Sequence, residues 1–527
     1  MYKRQAIGWS YDLLTAAEQL LFKRLAVFAG GCTLDAAEIM CADALSPAQV
    51  LGGFASLLDK SLLHRETGVH GEPRYVMLET VREYGLERVA SSGEDVALHT
   101  RHVSCFLQLI EKAEQPGREI GFLQVRYLID DDIYNVRAAL AWAIGNDVQA
   151  ALLLTAPFLD WYGQRDSYAE GRRLIDKVFA LPGASAPTVP RAKVLAQAGI
   201  LMHWGHEDGK AQAYEEESLA LSRVLGYGKG EADALQYLGR IAHIGWLDQD
   251  TAQGYFEQAL ASYRTLADPG GAATVLFLLA EIALDRADFP RARALAEECL
   301  TVAEQAGFRF SWPLSILAAI AYGEGDLDRA RALYEQKLAM EEARGQIGAN
   351  LATLNDLVRV ATPQGDFKAA HAFVDRVLAR EQKKGIDSGA YLCECYLLLA
   401  MLVQAEGDYG SAIHWYRAGT RGIKYLTYDW KLWGLGLAGM AVALDQHELA
   451  ARLLGATDGT DVADYRLFPI ERDNYNRLAA ATRAQLGAAA FDVAWAEGRT
   501  SPFEQVVEEA LLVLEEALRV QDQAPPA

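Results

Sequence analysis

The sequence predicts a mainly α-helical chain, with an N-terminal winged-helix-like domain of three or four helices and a β-hairpin wing. A right-handed α-solenoid of tetratricopeptide-like helical hairpins is predicted to follow it. Three observations lead there. A small residue returns about every 40 positions over most of the chain, the first ninety residues break that period, and alanine and leucine dominate nearly every segment.

The recurring phrase is a short acidic or glycine-containing turn followed by an alanine-rich helix. It reads Gly325-Asp326-Leu327-Asp328-Arg329-Ala330, and returns as Asp288-Phe289-Pro290-Arg291-Ala292, Gly365-Asp366-Phe367-Lys368-Ala369-Ala370 and Gly407-Asp408-Tyr409-Gly410-Ser411-Ala412. A degenerate copy begins at Leu247-Asp248. The anchoring small residues are Gly171, Ala211, Ala252, Ala292, Ala330, Ala370, Ala412 and Ala451, at spacings of 40, 41, 40, 38, 40, 42 and 39.

Each copy reads as a helix–turn–helix unit. Twelve residues before an anchor another small residue often stands (Ala280, Ala318, Ala400), so two backbones can approach closely. An aromatic four residues after the anchor (Phe256, Tyr334, Tyr416) lies one turn along the same face. Aspartate in the turn is placed to cap the second helix. One hairpin alone leaves an apolar face that only its neighbour covers, hence stacking. The period is longer than the tetratricopeptide repeat's usual length of about 34.

The first domain reads differently. Thr15-Ala16-Ala17-Glu18 is a capping-box sequence ahead of a helix over Gln19–Phe28. Gly30-Gly31 ends that helix, Thr33 caps a second over Leu34–Cys41, and Ser46-Pro47 opens a third through Leu58. Ser61–Arg65 and Arg74–Leu78 read as strands around the turn-rich Thr67–Gly71, and Glu79–Ala90 as a closing helix. The domains are therefore expected at 1–5 (a tail), 6–93 (winged helix) and 94–147 (helical linker). Repeats are expected at 148–465, about eight of them, and a C-terminal helical cap with a polar tail at 466–527.

Charge bounds the partners. The chain carries 50 basic and 71 acidic residues, a net charge of −21. Residues 7–93 hold seven basic side chains (Lys23, Arg24, Lys60, Arg65, Arg74, Arg82, Arg88) against eleven acidic ones, a net of −4. Phosphate backbones repel such a surface, so nucleic acid is not the expected partner. Six cysteines are too sparse for a disulfide framework and read as core thiols. No apolar run is long enough to span a membrane and the first residues do not form a signal peptide, so the cytoplasm is the expected compartment.

Candidate sites give no catalytic set and no metal site. His203 and His206 flank a turn and could serve zinc, but a helix-end turn accounts for them equally well. Asp130-Asp131-Asp132 could hold a cation, but reads better as the solvated start of a helix over Ile133–Ile144. Gly226-Tyr227-Gly228-Lys229-Gly230 has a glycine where a P-loop needs a hydroxyl, and reads as a loop joining two repeats. Among the aromatics (Phe158, Trp161, Tyr162, Trp204, Trp246, Trp312, Trp415, Trp430 and Trp433), most are expected in the core. Trp161, Tyr162, Trp204, Trp246 and Trp312 are candidates to line a ligand groove.

Several segments carry a resemblance. Leu25–Leu34 (LAVFAGGCTL), Ala55–Leu62 (ASLLDKSL) and Met77–Tyr84 (MLETVREY) resemble the part that follows the nucleotide-binding module in bacterial signal-transduction ATPases with numerous domains. Those include LuxR-type and maltose-regulator-like transcriptional regulators. Asp132–Leu140 resembles that family's linker, and Ala489–Arg499 its C-terminal ending. The resemblance implies a winged helix that restrains an ATPase until helical repeats sense an inducer or partner. This chain lacks Gly-x-x-x-x-Gly-Lys-Ser/Thr, so ATP or ADP is expected only in a missing N-terminal domain, and the match opening near Ala6 suggests truncation. The expected function is a non-enzymatic sensor and scaffold binding a protein, peptide or small effector, without cofactor, metal or membrane. The rival reading is a DNA-binding regulator acting through the winged helix.

Overall fold

The structure, a computed structural model, describes residues 2–68, 71–114, 121–163, 165, 167–245, 248–343, 349–384, 390–420, 430–459 and 468–523. Val69 and His70 in the expected wing turn, Trp246 and Leu247, and the expected repeat boundary at residue 465 lie outside them, as does the side chain of Trp430. The chain divides into two compact units, residues 1–275 with 303–309, and residues 276–302 with 310–527.

The first unit opens with α1 (Tyr2–Asp12), where the sequence suggested a tail over 1–5. Tyr11 of α1 sets its ring 5.3 Å from Phe22 and 5.7 Å from Tyr84, which docks the helix. Then come α2 (Ala16–Ala26), α3 (Leu34–Cys41), α4 (Pro47–Asp59), an antiparallel hairpin of β1 (His64–Thr67) and β2 (Pro73–Val76), and α5 (Glu79–Ser92). α2 starts earlier than Gln19 because the Thr15–Glu18 capping box closes on Ala16. Ser46 and Gln49 form the same box on α4.

The wing strands sit later than the expected Ser61–Arg65 and earlier than Arg74–Leu78. Ser61 adopts φ 57° and donates to Leu58 O, and Leu62 donates to Leu57 O, so these residues finish α4 instead of starting a strand. Leu21, Phe22, Met40, Phe54 and Leu57 fill the core.

α6 (Asp95–Glu114) and α7 (Gly121–Asn146) are more than a spacer. Phe106 and Cys105 of α6 are fully buried in the same cluster as Phe28 and Ala36 of the winged helix. One apolar core therefore runs from the winged helix through α7 into the start of the repeats.

Among the described residues eight helical hairpins follow. They are α8/α9 (Val148–Gly163, Tyr168–Phe179), α10/α11 (Val189–Trp204, Asp208–Leu225), α12/α13 (Gly228–Arg240, Gln249–Thr265) and α14/α15 (Pro269–Asp285, Phe289–Gln305). Next are α16/α17 (Trp312–Gly323, Leu327–Ala343), α18/α19 (Ala349–Ala361, Phe367–Lys384), α20/α21 (Ala390–Ala405, Tyr409–Thr420) and α22/α23 (Trp430–Ala443, His447–Gly459). A π-turn over Ile241–Gly245 ends α12. After the hairpins come α24 (Pro469–Leu486), α25 (Ala488–Thr500) and α26 (Phe503–Gln523). The fold is a winged helix followed by an α-solenoid of tetratricopeptide-like hairpins.

Every anchor stands on the second helix of its hairpin. The seven anchoring alanines are 0% exposed, and Gly171 is packed under Leu201. The turn repeats as closely as the anchor does. In six hairpins the residue at its corner has φ between 57° and 90°: His206, Ala287, Gly325, Gly365, Gly407 and Asp445. Its N–H and the next residue's bond back to the ending helix, as Gly325 N to Tyr322 O and Asp326 N to Ala321 O do. In four of them an aspartate follows and caps the next helix, with Asp326 Oδ1 accepting from Arg329 N at 3.1 Å and Asp408 Oδ1 from Ser411 N at 3.0 Å.

This turn dictates a stability pattern. Gly325→Ala and Gly407→Ala each lose about 1 kcal/mol, because a Cβ is strained at positive φ. Ala287→Gly, which removes such a strain, loses nothing. Urea unfolding of the three variants beside wild type checks the contrast.

Candidate regulatory junction and binding faces

The junction between wing and repeats is built on the aspartate triplet. α7 runs through it from Gly121 to Asn146, with a kink at Asp132 (φ −116°, ψ 23°). Asp132 is 3% exposed, so the expectation of a solvated helix start fails there. Its Oδ1 accepts from Arg74 Nη2 of β2 and from Asn135 Nδ2, both at 2.7 Å. Arg74 also donates to Gly31 O at 3.0 Å. Asn135 donates to Gly31 O at 2.8 Å and accepts from Ala29 N at 2.6 Å.

Gly30 and Gly31 take φ of 94° and 80° to present those carbonyls, and a Cβ on Gly31 would lie 2.5 Å from Tyr75 O. Cys32 and Tyr75 exchange backbone hydrogen bonds beside them. Burial alone would lower the Arg74 pKa, but Asp132 more than offsets it.

The other two aspartates point elsewhere. Asp130 accepts from Trp161 Nε1 at 2.8 Å and pairs with Arg165, whose guanidinium lies 4.2 Å from the Trp161 ring centroid. Asp131 reaches the wing turn, where a Cβ on Gly68 would lie 2.9 Å from its Oδ1. Three consecutive carboxylates thus hold the wing, the α2–α3 turn and the first hairpin. Nothing local marks Arg74 or Asn135 as a partner of Asp132, since Arg74 reads only as a strand residue and Asn135 only as part of a helix.

The winged-helix surface carries little free positive charge. α4, the second helix of the helix-turn-helix, has no lysine or arginine and exposes Ala48, Gln49, Leu51, Gly52, Ala55 and Asp59. Lys23 pairs with Glu94 (2.6 Å), Arg24 with Asp43 (2.5 Å), Lys60 with Glu18 (3.3 Å) and Arg82 with Glu79 (2.8 Å). Arg88 lies over Tyr84 at 4.6 Å, and Arg65 is exposed.

The groove candidates are spread among packing roles. Trp161 belongs to the junction, beside the half-buried Tyr162 with ring centroids 5.3 Å apart. Trp204 covers Gly163, where a Cβ would lie 2.4 Å from its ring. Trp312 packs on Phe277 (5.4 Å) and Phe310 (5.2 Å). Phe158 and Trp433 are buried, and Trp415 stacks on Tyr396.

His203 Nδ1 lies 2.6 Å from Asp208 Oδ1, while His206 is an exposed residue at positive φ (59°) in the α10–α11 turn. Among the described residues no group of three or more His, Cys, Asp or Glu is placed to hold a metal. Gly226 caps α11 and Gly228 starts α12, with Lys229 held by Asp233 (2.7 Å) and Asp268 (3.2 Å). A lysine engaged by two carboxylates does not fit nucleotide phosphates. All six cysteines are buried, and burial pushes Cys41 up to about 11 and Cys105 to about 12. No described helix is long and apolar enough to cross a membrane.

Two buried groups make the first unit sensitive to pH. His102 is 1% exposed, wedged edge-on between Phe28 and Phe106; burial, with a smaller push from His99, lowers its pKa to about 4 against a raising hydrogen bond with Asn135. Glu215, four residues after Ala211, takes the position of the core aromatics Phe256, Tyr334 and Tyr416. It is 0% exposed, neither carboxyl oxygen has a hydrogen-bond partner, and burial followed by Asp233 raises its pKa well above the usual range. Gly199 of α10 makes room for it: a Cβ there would lie 2.5 Å from Glu215 Oε1. The repeat alignment was the signal that could have flagged this residue.

The family profile described as "Winged helix-turn-helix domain" matches residues 14–90. A protein described as an HTH-type transcriptional regulator of Mycobacterium tuberculosis H37Rv is 32% identical over 319 residues, covering 58% of this chain and 35% of the relative. The chain thus spans about a third of that relative's length. The crystal structure of a signal transduction ATPase with numerous domains and a tetratricopeptide repeat sensor, from Pyrococcus horikoshii, aligns with TM-score 0.49 at 16% identity, over 79% of this chain and 64% of that one. The apo form of the quorum sensor NprR of B. thuringiensis aligns with TM-score 0.46 at 14% identity, over 68% of this chain and 96% of that one.

Asp132→Ala strands the buried Arg74 charge and lowers stability by about 3–5 kcal/mol, while the paired change Arg74→Met with Asp132→Leu loses much less. Urea denaturation of the three chains separates the cases. Below about pH 6.5 the unfolded chain binds a proton at His102 that the folded chain refuses, so stability falls as pH drops towards 4, by up to roughly 3 kcal/mol. His102→Gln flattens that slope. Glu215 has the opposite sign: it ionises when unfolded but not when folded, so stability is lost as pH rises above about 4.5. Glu215→Leu therefore gains about 1–3 kcal/mol at pH 7. Thermal melts from pH 4 to 8 read both effects.

Proposed function

We propose that the chain is a non-enzymatic sensor and scaffold module of a cytoplasmic ATPase-type signalling or transcriptional regulator. The hairpins bind a protein, peptide or small effector, and the winged helix controls a nucleotide-binding domain outside this chain. The observation that carries this reading is the aspartate junction. Asp130 holds Trp161 and Arg165 of the first hairpin, while Asp132, two residues away on the same helix, holds Arg74 of the wing. A shift of the first hairpin pulls on α7 at Asp130 and reaches β2 through Asp132. Effector binding that favours one arrangement of the hairpins would shift the wing's population accordingly.

The DNA-binding reading is favoured by the family profile and by the description of the mycobacterial relative. Against it stand the absence of lysine and arginine from α4 and the pairing of Lys23, Arg24, Lys60, Arg74 and Arg82 with carboxylates.

Two measurements test the proposal. Peptides selected from a displayed random library on the full chain should change amide hydrogen exchange at Pro73–Val76 in wild type and not in Asp130→Ala. Binding that leaves the wing unchanged in wild type overturns the coupling. In a mobility-shift assay with random-sequence duplex DNA at 50 mM salt the chain should give no shift. A shift that weakens steeply with salt would establish the DNA reading instead.

A further inference from the structure

In the second unit the chain folds back on its own repeats. Phe468, the residue just before α24, sets its ring edge-on to Tyr322 of α16, with centroids 6.0 Å apart at 89°. The same ring stacks on Phe289 at the start of α15, at 6.3 Å and 25°. Both geometries are favourable for aromatic pairs. Gly323 leaves the space: a Cβ there would lie 2.9 Å from the Phe468 ring. Gly323 is the last residue of α16 and is not among the positive-φ glycines, so its small size serves the ring and not the backbone.

Glu471, three residues on, is 4% exposed and accepts the Phe468 N–H at 3.0 Å. Tyr322 is buried, which raises its pKa, and it feels both Glu471, which raises it further, and Arg359 of α18, which lowers it. Arg359 itself pairs with Glu394 of α20 at 3.0 Å. From there α24 runs on to the last hairpin. Tyr475 donates to Leu454 O of α23 at 3.4 Å.

Repeat arrays are built so that each unit touches its neighbours. A segment that touches Phe289 and Tyr322 of the fourth and fifth hairpins and Leu454 of the eighth must lie along a face of the array. Its far end is anchored by one half-buried ring and one buried carboxylate. An aromatic anchor in a fitted pocket beside a desolvated charge is the composition of a binding hot spot.

We propose that the cleft of Phe289, Tyr322 and Gly323 is a docking site for a linear peptide with an aromatic residue followed three positions later by a carboxylate that caps its own helix start, and that Phe468–Glu471 occupies it in cis. This rests on the reading of the hairpins as a sensor and specifies how one of its faces is regulated. A partner of the same chemistry binds by exchange with the start of α24. The tethered occupant competes at high effective concentration, so the free chain holds the site closed.

The test is fluorescence anisotropy with a fluorescein-labelled peptide of residues 465–476, titrated with the full-length chain. Phe468→Ala should bind it at least tenfold more tightly than wild type. Adding Tyr322→Ala to that variant, or replacing the peptide's phenylalanine by alanine, should abolish the gain. Glu471→Gln, which leaves the ring in place, should bind with an intermediate gain and covers the case in which Phe468→Ala is too unstable to assay. No gain in either variant, or a gain that survives Tyr322→Ala, overturns the proposal. Library peptides that bind wild type and Phe468→Ala equally and still alter the wing would leave the sensor reading standing and remove the cis occupant.

Discussion

The ion pair of Arg74 and Asp132, with Asn135 beside it, is the contact on which the first unit's arrangement depends. Its members come from the wing strand β2 and from α7, and the carbonyl of Gly31 ties in the turn between α2 and α3. Burying an arginine and an aspartate costs desolvation that their mutual attraction offsets only when both are present in good geometry. Any arrangement that parts the wing from α7 strands two charges in an apolar core. The pair therefore selects one register of wing against helix, whatever its net contribution to stability. The kink at Asp132 and the positive φ of Gly30 and Gly31 serve that geometry.

The rest of the unit builds outward from there. The winged helix and α6–α7 share one core through Phe28, His102, Cys105 and Phe106, so the segment after the wing is part of the domain it follows. Asp130 hands the contact on to Trp161 and Arg165. Within the repeats the construction is different and simpler. Small residues let paired helices touch, a left-handed corner reverses the chain, and an aspartate starts the next helix. Where a repeat departs from this plan, the departure carries chemistry: Glu215 in place of a core aromatic, or Gly323 opened to receive Phe468.

How much of this was legible in the sequence depends on whether the contact is local. The helix-capping residues Thr15, Thr33 and Ser46, the capping aspartates of the turns and the eight anchors were all readable, because each acts within a few residues of itself or recurs at a fixed period. The wing strands were misplaced by a few residues because closing α4 took up Ser61 and Leu62. Asp132 was misread because a carboxylate near a helix start is normally solvated, and its partner Arg74 lies 58 residues away. The groove aromatics were named from their places on first helices and near turns, and each described one finds its own packing partner.

The sequence by itself determined the architecture: a winged helix, a helical continuation and a periodic array. Amphipathic periodicity, turn chemistry and capping are short-range physics written along the chain. Only the tertiary structure decided which charged residues leave water, which repeat carries an unpartnered acid, and where the segment after the last hairpin comes to rest. Those outcomes depend on burial and on pairing between residues far apart in sequence. Desolvation is a property of the assembled neighbourhood, so no single stretch of residues specifies it.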